Sequence, residues 1–176
     1  MTFDELLAVQ SGIGRISLDF ENNQSMVDSN FPIVDFDRAK EMYAKGFGAY
    51  APKSCDGLYY SKDDGIIYLI EFKNGKINND VKTHIYFKIL ESLWLLSDVI
   101  NKPSSFFRAN CVFLLVYNDA KNRCAIASHI MRNAGGEIVR FGLDRFERLY
   151  VKKAHTLNPH EFYVRFVRKW ERKGKG

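Results

Sequence analysis

The sequence predicts an α/β or α+β fold in which a central mixed sheet is flanked by helices. Three observations predict it. Ile66–Lys73 (IIYLIEFK) and Cys111–Tyr117 (CVFLLVY) are almost unbroken runs of β-forming residues, the pattern of strands buried on both faces. Residues 81–100, between them, place Val81, Ile85, Ile89, Leu93 and Leu96 at helical spacing, with Leu90 widening the stripe. Buried strand, long helix, buried strand is the order of a layered sheet-and-helix domain.

The remaining elements follow from local signals. Thr2-Phe3-Asp4-Glu5 reads as a capping box that opens a short helix to about residue 10. Residues 15–20 alternate like a strand, and 21–30 are polar loop. Asp35 or Asp37 caps a helix to about Lys45, ended by Gly46. Residues 55–61 alternate as a strand, and the turn Lys62-Asp63-Asp64-Gly65 joins it to Ile66–Lys73 as a hairpin. Asn79 or Asp80 caps the long helix, and Lys102-Pro103 stops it. Residues 120–133 read as a helix closed by Gly135-Gly136, and 138–141 and 149–153 as short strands. Asn158-Pro159-His160-Glu161 is a strong helix start for a last helix to about residue 172.

Composition narrows the class. With 176 residues, 46% hydrophobic and 14% aromatic, the chain is long and apolar enough for one packed domain and too apolar for disorder. Three cysteines, Cys55, Cys111 and Cys124, lack paired spacing and read as free thiols of a reducing compartment. The start, MTFDELLAVQ, has no basic region of a secretory signal. Segment 81–100 contains Lys82, Lys88, Glu91 and Asp98, so it does not read as a membrane span. The expectation is a cytoplasmic protein with no membrane partner. The net charge of +5 is unevenly spread: residues 1–75 carry −5, residues 76–145 +4 and residues 146–176 +6. A basic end suits a polyanionic partner, and a solvated surface is the alternative.

The chemistry concentrates in the hairpin. Residues i and i+2 of a strand share a face, so Glu71 and Lys73 point the same way and Phe72 the other. The turn brings Asp56, at the start of one strand, beside the end of the other. Two carboxylates with water form a hard-cation site, and a lysine beside it can orient water or stabilise phosphate charge. Acid-x-Lys alone is weak: it occurs four times, at Glu71, Asp80, Asp119 and Glu171. Only Glu71–Lys73 ends a buried strand with an acid on its partner strand. The alternative is a plain ion pair of Glu71 with Lys73 or another base.

This arrangement resembles the PD-(D/E)xK nuclease superfamily, the restriction-endonuclease-like fold, over about residues 36–117. Asp56 matches the family's first acid, Glu71 the second and Lys73 the lysine. The helix at 81–100 and the strand Cys111–Tyr117 match the rest of the αβββαβ core, to which the C-terminal strands and helix are additions. Pro52 stands four residues before Asp56, where the family's variable proline is adjacent. The resemblance implies a single nuclease-like domain over 1–176, with its core at about 36–117 and a basic C-terminal extension at about 138–176. It implies hydrolysis of phosphodiester bonds of nucleic acid, DNA before RNA. Asp56 and Glu71 would bind Mg²⁺ or Mn²⁺, with Glu41 of the preceding helix as a further ligand, and Lys73 would position water. Lys82, His84 or Lys88 of the long helix would meet phosphate. The alternative is a catalytically inactive nucleic-acid-binding or protein-interaction module of the same fold. A homodimer and an inhibitor protein stay open.

In the last helix, Phe162, Phe166 and Trp170 recur every four residues, a core stripe rather than a base-stacking surface. Arg165, Arg168, Lys169, Arg172 and Lys173 cover much of the remaining surface and are candidates for phosphate contact, each contact adding salt sensitivity. Ser11-Gly12-Ile13-Gly14 lacks the Gly-Lys of a phosphate loop, Ser128-His129 lacks a partner acid, and His155 and His160 lack metal-ligand spacing.

Overall fold

In a computed structural model of the chain, described over residues 1–19, 22–122 and 138–174, a six-stranded mixed sheet lies between two layers of helix. The strands are β1 (Gln10–Gly12), β4 (Pro32–Asp35), β5 (Gly57–Ser61), β6 (Ile66–Lys73), β7 (Cys111–Tyr117) and β8 (Lys153–Leu157), in that spatial order. Pairing is antiparallel from β1 through β6 and parallel from β6 through β8. A separate two-stranded ladder joins β2 (Leu18–Asp19) to β3 (Gln24–Ser25).

The strongest local signals became elements with little change. β6 and β7 are both interior strands of the sheet, and all seven residues of β7 are buried. The β5–β6 hairpin closes through Gly65, whose φ of +68° only glycine adopts cheaply. Helix α3 (Phe36–Lys45) is capped by the Asp35 carboxylate, which accepts the Arg38 N–H. Helix α4 (Asn79–Ile100) starts earlier than expected, because Asn78 is the residue whose side chain accepts the Val81 N–H. Asn101, in the left-handed region, ends it before Pro103. Parallel strands need a crossover, and α4 with the short α5 (Ser104–Asn110) supplies it between β6 and β7.

Other expectations need correction. Residues 10–12 leave α1 (Phe3–Leu7) as strand β1, and residues 13–16 form helix α2 (Ile13–Ile16) in place of the start of a strand. Segment 138–141 is not a strand. Near 149–153, Val151 makes a single bridge to Glu147 and the strand proper is β8. The αβββαβ order that the resemblance implies is altered: only β5 and β6 lie between α3 and α4, and β4 precedes α3. The C-terminal portion supplies β8, the sixth strand of the same sheet. The helix expected over 120–133, with Cys124, Ser128 and His129, falls almost wholly outside the described residues.

The two faces of the sheet carry separate cores. On one, Leu58, Ile67, Leu69, Phe113 and Leu115 pack against α1, α3, α4 and α5 through Leu6, Phe36, Tyr43, Ile85, Ile89 and Phe107. On the other, Ile66, Ile70, Phe72, Leu114 and Leu157 pack against α2 and the C-terminal helix. That helix runs Pro159–Phe162, through a π-helical turn Tyr163–Val167, into Arg168–Lys173, opened by the Asn158–Glu161 capping box. Its Phe162 and Trp170 are buried, and Phe162 meets Phe72 edge to face at 5.8 Å between ring centres. Among the described residues no helix is long and apolar enough to cross a membrane.

Candidate functional site

Asp56 stands immediately before β5. The β5–β6 ladder ends at the pair Gly57–Ile70, so the Phe72 N–H, two residues further on, lies beyond the last β5 pair. The Asp56 side chain takes it: Oδ2 accepts from Phe72 N at 2.7 Å. A charge-assisted bond of this kind fixes the carboxylate against the end of β6. Its other oxygen, Oδ1, is directed at α4.

Glu71 lies in β6 on the α4 face and is fully buried. Lys73, two residues on and on the same face, puts Nζ 2.7 Å from Glu71 Oε1. The unexpected member is Lys88. Its ammonium, carried on α4, donates to Asp56 Oδ1 at 2.8 Å and to Glu71 Oε1 and Oε2 at 2.8 and 3.0 Å. The two carboxylates are thus close enough to share one cation. Asp56, Glu71 and Lys73 come together as the hairpin argument expects, and Lys88 joins them as a fourth charge. The sequence offers Lys88 as a phosphate contact of the long helix; in the structure its side chain is instead turned into the carboxylate pair and is only 20% exposed.

Backbone ties hold this end of the hairpin to its helices. The N–H groups of Lys53 and Cys55 donate to Glu91 Oε2 and Ser92 Oγ of α4, at 2.6 and 2.9 Å. Ser54 Oγ donates to Asp37 Oδ1 of α3 at 2.8 Å. Three successive residues before Asp56 are therefore clamped by α3 and α4. Burying the polar Ser92 is tolerable because its hydroxyl is paired. Of the α3 acids, it is Asp37 that reaches the segment carrying Asp56. Glu41 is exposed and does not join the site: among the described residues no three carboxylate, His or Cys side chains are grouped to hold a metal.

The electrostatics reflect burial. Loss of water, and then the Asp56 carboxylate, push Glu71 up to about 7, against the pull of Lys88 and Lys73. Burial works against the Lys88 charge, yet Glu71 and Asp56 outweigh it and shift its pKa upward. The neighbouring Cys55 thiol is pushed well up, first by burial and then by Glu71, which leaves it protonated and poorly nucleophilic. The cluster holds two acids and two bases, and a buried charge set of this kind persists only when its members are paired.

The candidate phosphate contacts fall on different sides. Lys82 lies in the first turn of α4, half-buried, and His84, one turn before Lys88, is exposed. Arg165, Arg168, Lys169 and Arg172 are exposed on the C-terminal helix, which packs on the face of the sheet opposite to Glu71. The alternation of β6 forces this: Phe72 meets that helix, and Glu71 and Lys73 point away from it. Lys173 pairs instead with Asp63 of the hairpin turn at 2.9 Å.

The donor set suits a hard divalent ion in number and kind, since Asp56 Oδ1 and the Glu71 oxygens converge on one point. That point is the place of the Lys88 ammonium. No family model matches the chain, and no curated protein or solved structure matches it either.

Proposed function

We propose that the protein is a metal-dependent nuclease of the PD-(D/E)xK type, with a restriction-endonuclease-like fold, hydrolysing phosphodiester bonds of nucleic acid. One observation carries the reading: Asp56, Glu71 and Lys73 meet at one end of a buried hairpin, with both carboxylates directed at a single cation position. The crossover from β6 through α4 to the parallel β7 supports the fold assignment. Asp56 and Glu71 would hold Mg²⁺ or Mn²⁺, and Glu41 takes no part. The ion, when bound, supplies a Lewis acid for a phosphoryl oxygen and lowers the pKa of bound water. Asp56 is oriented for this by the Phe72 N–H, and Glu71 by Lys73. Lys73, the more exposed of the two lysines at 28%, is the one able to meet attacking water or developing phosphate charge.

A second reading has its own observation. The four charges already pair with one another, so the cluster is complete as an ion network, as an inactive nucleic-acid-binding or protein-interaction module would have it. Incubating wild type, Glu71→Gln and Lys73→Met with DNA and with RNA, in Mn²⁺ or Mg²⁺ and then in EDTA, separates the two. The nuclease reading expects cleavage abolished by EDTA, lowered at least about a thousandfold by Glu71→Gln and about a hundredfold by Lys73→Met. Cleavage that survives both substitutions overturns the residue assignment. Salt-sensitive binding without cleavage, unchanged in Glu71→Gln, supports the second reading.

A further inference from the structure

We propose that Lys88 is an internal stand-in cation: its ammonium holds the metal position of the Asp56–Glu71 pair and is displaced when a divalent ion binds. The inference rests on the nuclease reading and adds a step to it.

The two lysines of the site are not equivalent. Lys73 contacts Glu71 from the same strand, to one side. Lys88 lies between the carboxylates, with one bond to Asp56 and two to Glu71. A divalent ion bound by the same oxygens would stand about 2.0–2.1 Å from them. An ammonium held at 2.8–3.0 Å from those oxygens cannot keep its place beside such an ion, because the two positive charges would be almost in contact.

Lys88 is also the part able to move. Glu71 is fully buried in the middle of the sheet, and Asp56 is pinned through Oδ2 to the Phe72 N–H. Lys88 is a long, flexible side chain with a fifth of its surface in solvent, so its ammonium has a short path to water. In the metal-free protein it compensates a buried carboxylate that would otherwise stand beside a second one. Metal and lysine are alternative occupants of one position. Lys88 therefore sets the metal concentration at which the site fills, and its displacement frees a cation at the rim.

Mn²⁺ affinity, measured by calorimetry without nucleic acid, tests this in wild type, Lys88→Met, Lys88→Arg and Lys73→Met. Lys88→Met should bind about tenfold more tightly or better, the worth of a charge-assisted hydrogen bond no longer broken. Lys88→Arg keeps a cation in place and should not tighten binding, and Lys73→Met should tighten it by a smaller factor. In wild type, Mn²⁺ should raise acylation of Lys88 by an N-hydroxysuccinimide ester, read by mass spectrometry, and this decides the matter if Lys88→Met does not fold. If wild type binds Mn²⁺ but Lys88→Met binds no tighter, or Lys88 labelling does not rise, displacement is overturned and the nuclease reading stands. If neither wild type nor Lys88→Met binds Mn²⁺, both are overturned.

Discussion

The two faces of β6 differ by one step of the chain and by the whole of their chemistry. Toward α4 the strand presents Ile67, Leu69, Glu71 and Lys73; toward the C-terminal helix it presents Ile66, Tyr68, Ile70 and Phe72. The first face is apolar until its last two positions and then carries charge, matched by Asp56 and Lys88. The second is apolar and aromatic throughout, packed on Phe162, Phe166 and Trp170. One face carries the charged cluster, and the other holds the strand in place by apolar packing.

The sharpest way to break that division is to damage the apolar face. Phe162→Ala should cost about 3–5 kcal/mol in denaturant unfolding, the usual penalty for emptying a fully buried phenylalanine site. Mn²⁺ affinity of the folded variant should stay within about twofold of wild type, since Phe162 meets the ring of Phe72 whereas Asp56 is held by that residue's backbone N–H within the sheet. A tenfold loss of affinity in folded protein would show that the two faces are coupled.

A smaller effect comes from the charged face. Glu71 is raised from its ordinary 4.5 to about 7 in the fold, so between those values the native state keeps a proton that the unfolded chain releases. Stability from this group is complete below about pH 4.5 and is lost as pH rises to about 7. In metal-free protein, Glu71→Gln should flatten the stability profile across that window, measured as denaturant midpoints at successive pH values. A profile as steep as wild type would sink the burial argument and leave Lys88 and Lys73 in control of Glu71.

The smallest effect is expected from the cations on the far layer. The triple replacement of Arg168, Lys169 and Arg172 by Gln should change cleavage by less than about twofold and leave the salt slope of binding intact. A slope lower by about 0.9 for each lost phosphate contact would show nucleic acid reaching both layers.

Legibility followed the range of the interaction. β6 and β7 were readable to the residue, because a doubly buried strand is an unbroken apolar run. The C-terminal helix start was equally plain, since the Asn158–Glu161 capping box is closed within four residues. β1 and β4 were not readable: at three and four residues they carry too little pattern, and each forms by pairing with a strand distant in sequence. Asp56, Glu71 and Lys73 could be grouped because a hairpin is a local structure. Lys88 had a faint signal. It stands four residues before Ser92, and two polar residues flanking the apolar stripe of α4 mark a side that meets something polar.

The strand that carries Glu71 and Lys73, their common face, and the long helix that follows are legible in the order of residues alone, because backbone periodicity and capping are settled within a few residues. Long-range packing settles which layer α4 takes, that Lys88 enters the carboxylate pair, that Glu41 stays exposed, and that the basic C-terminal helix lies behind the sheet. Alternation along a strand separates two faces without saying which helix covers each. That choice is made by apolar surfaces finding their partners across the whole chain, and the ionic cluster forms where the packing leaves its members together.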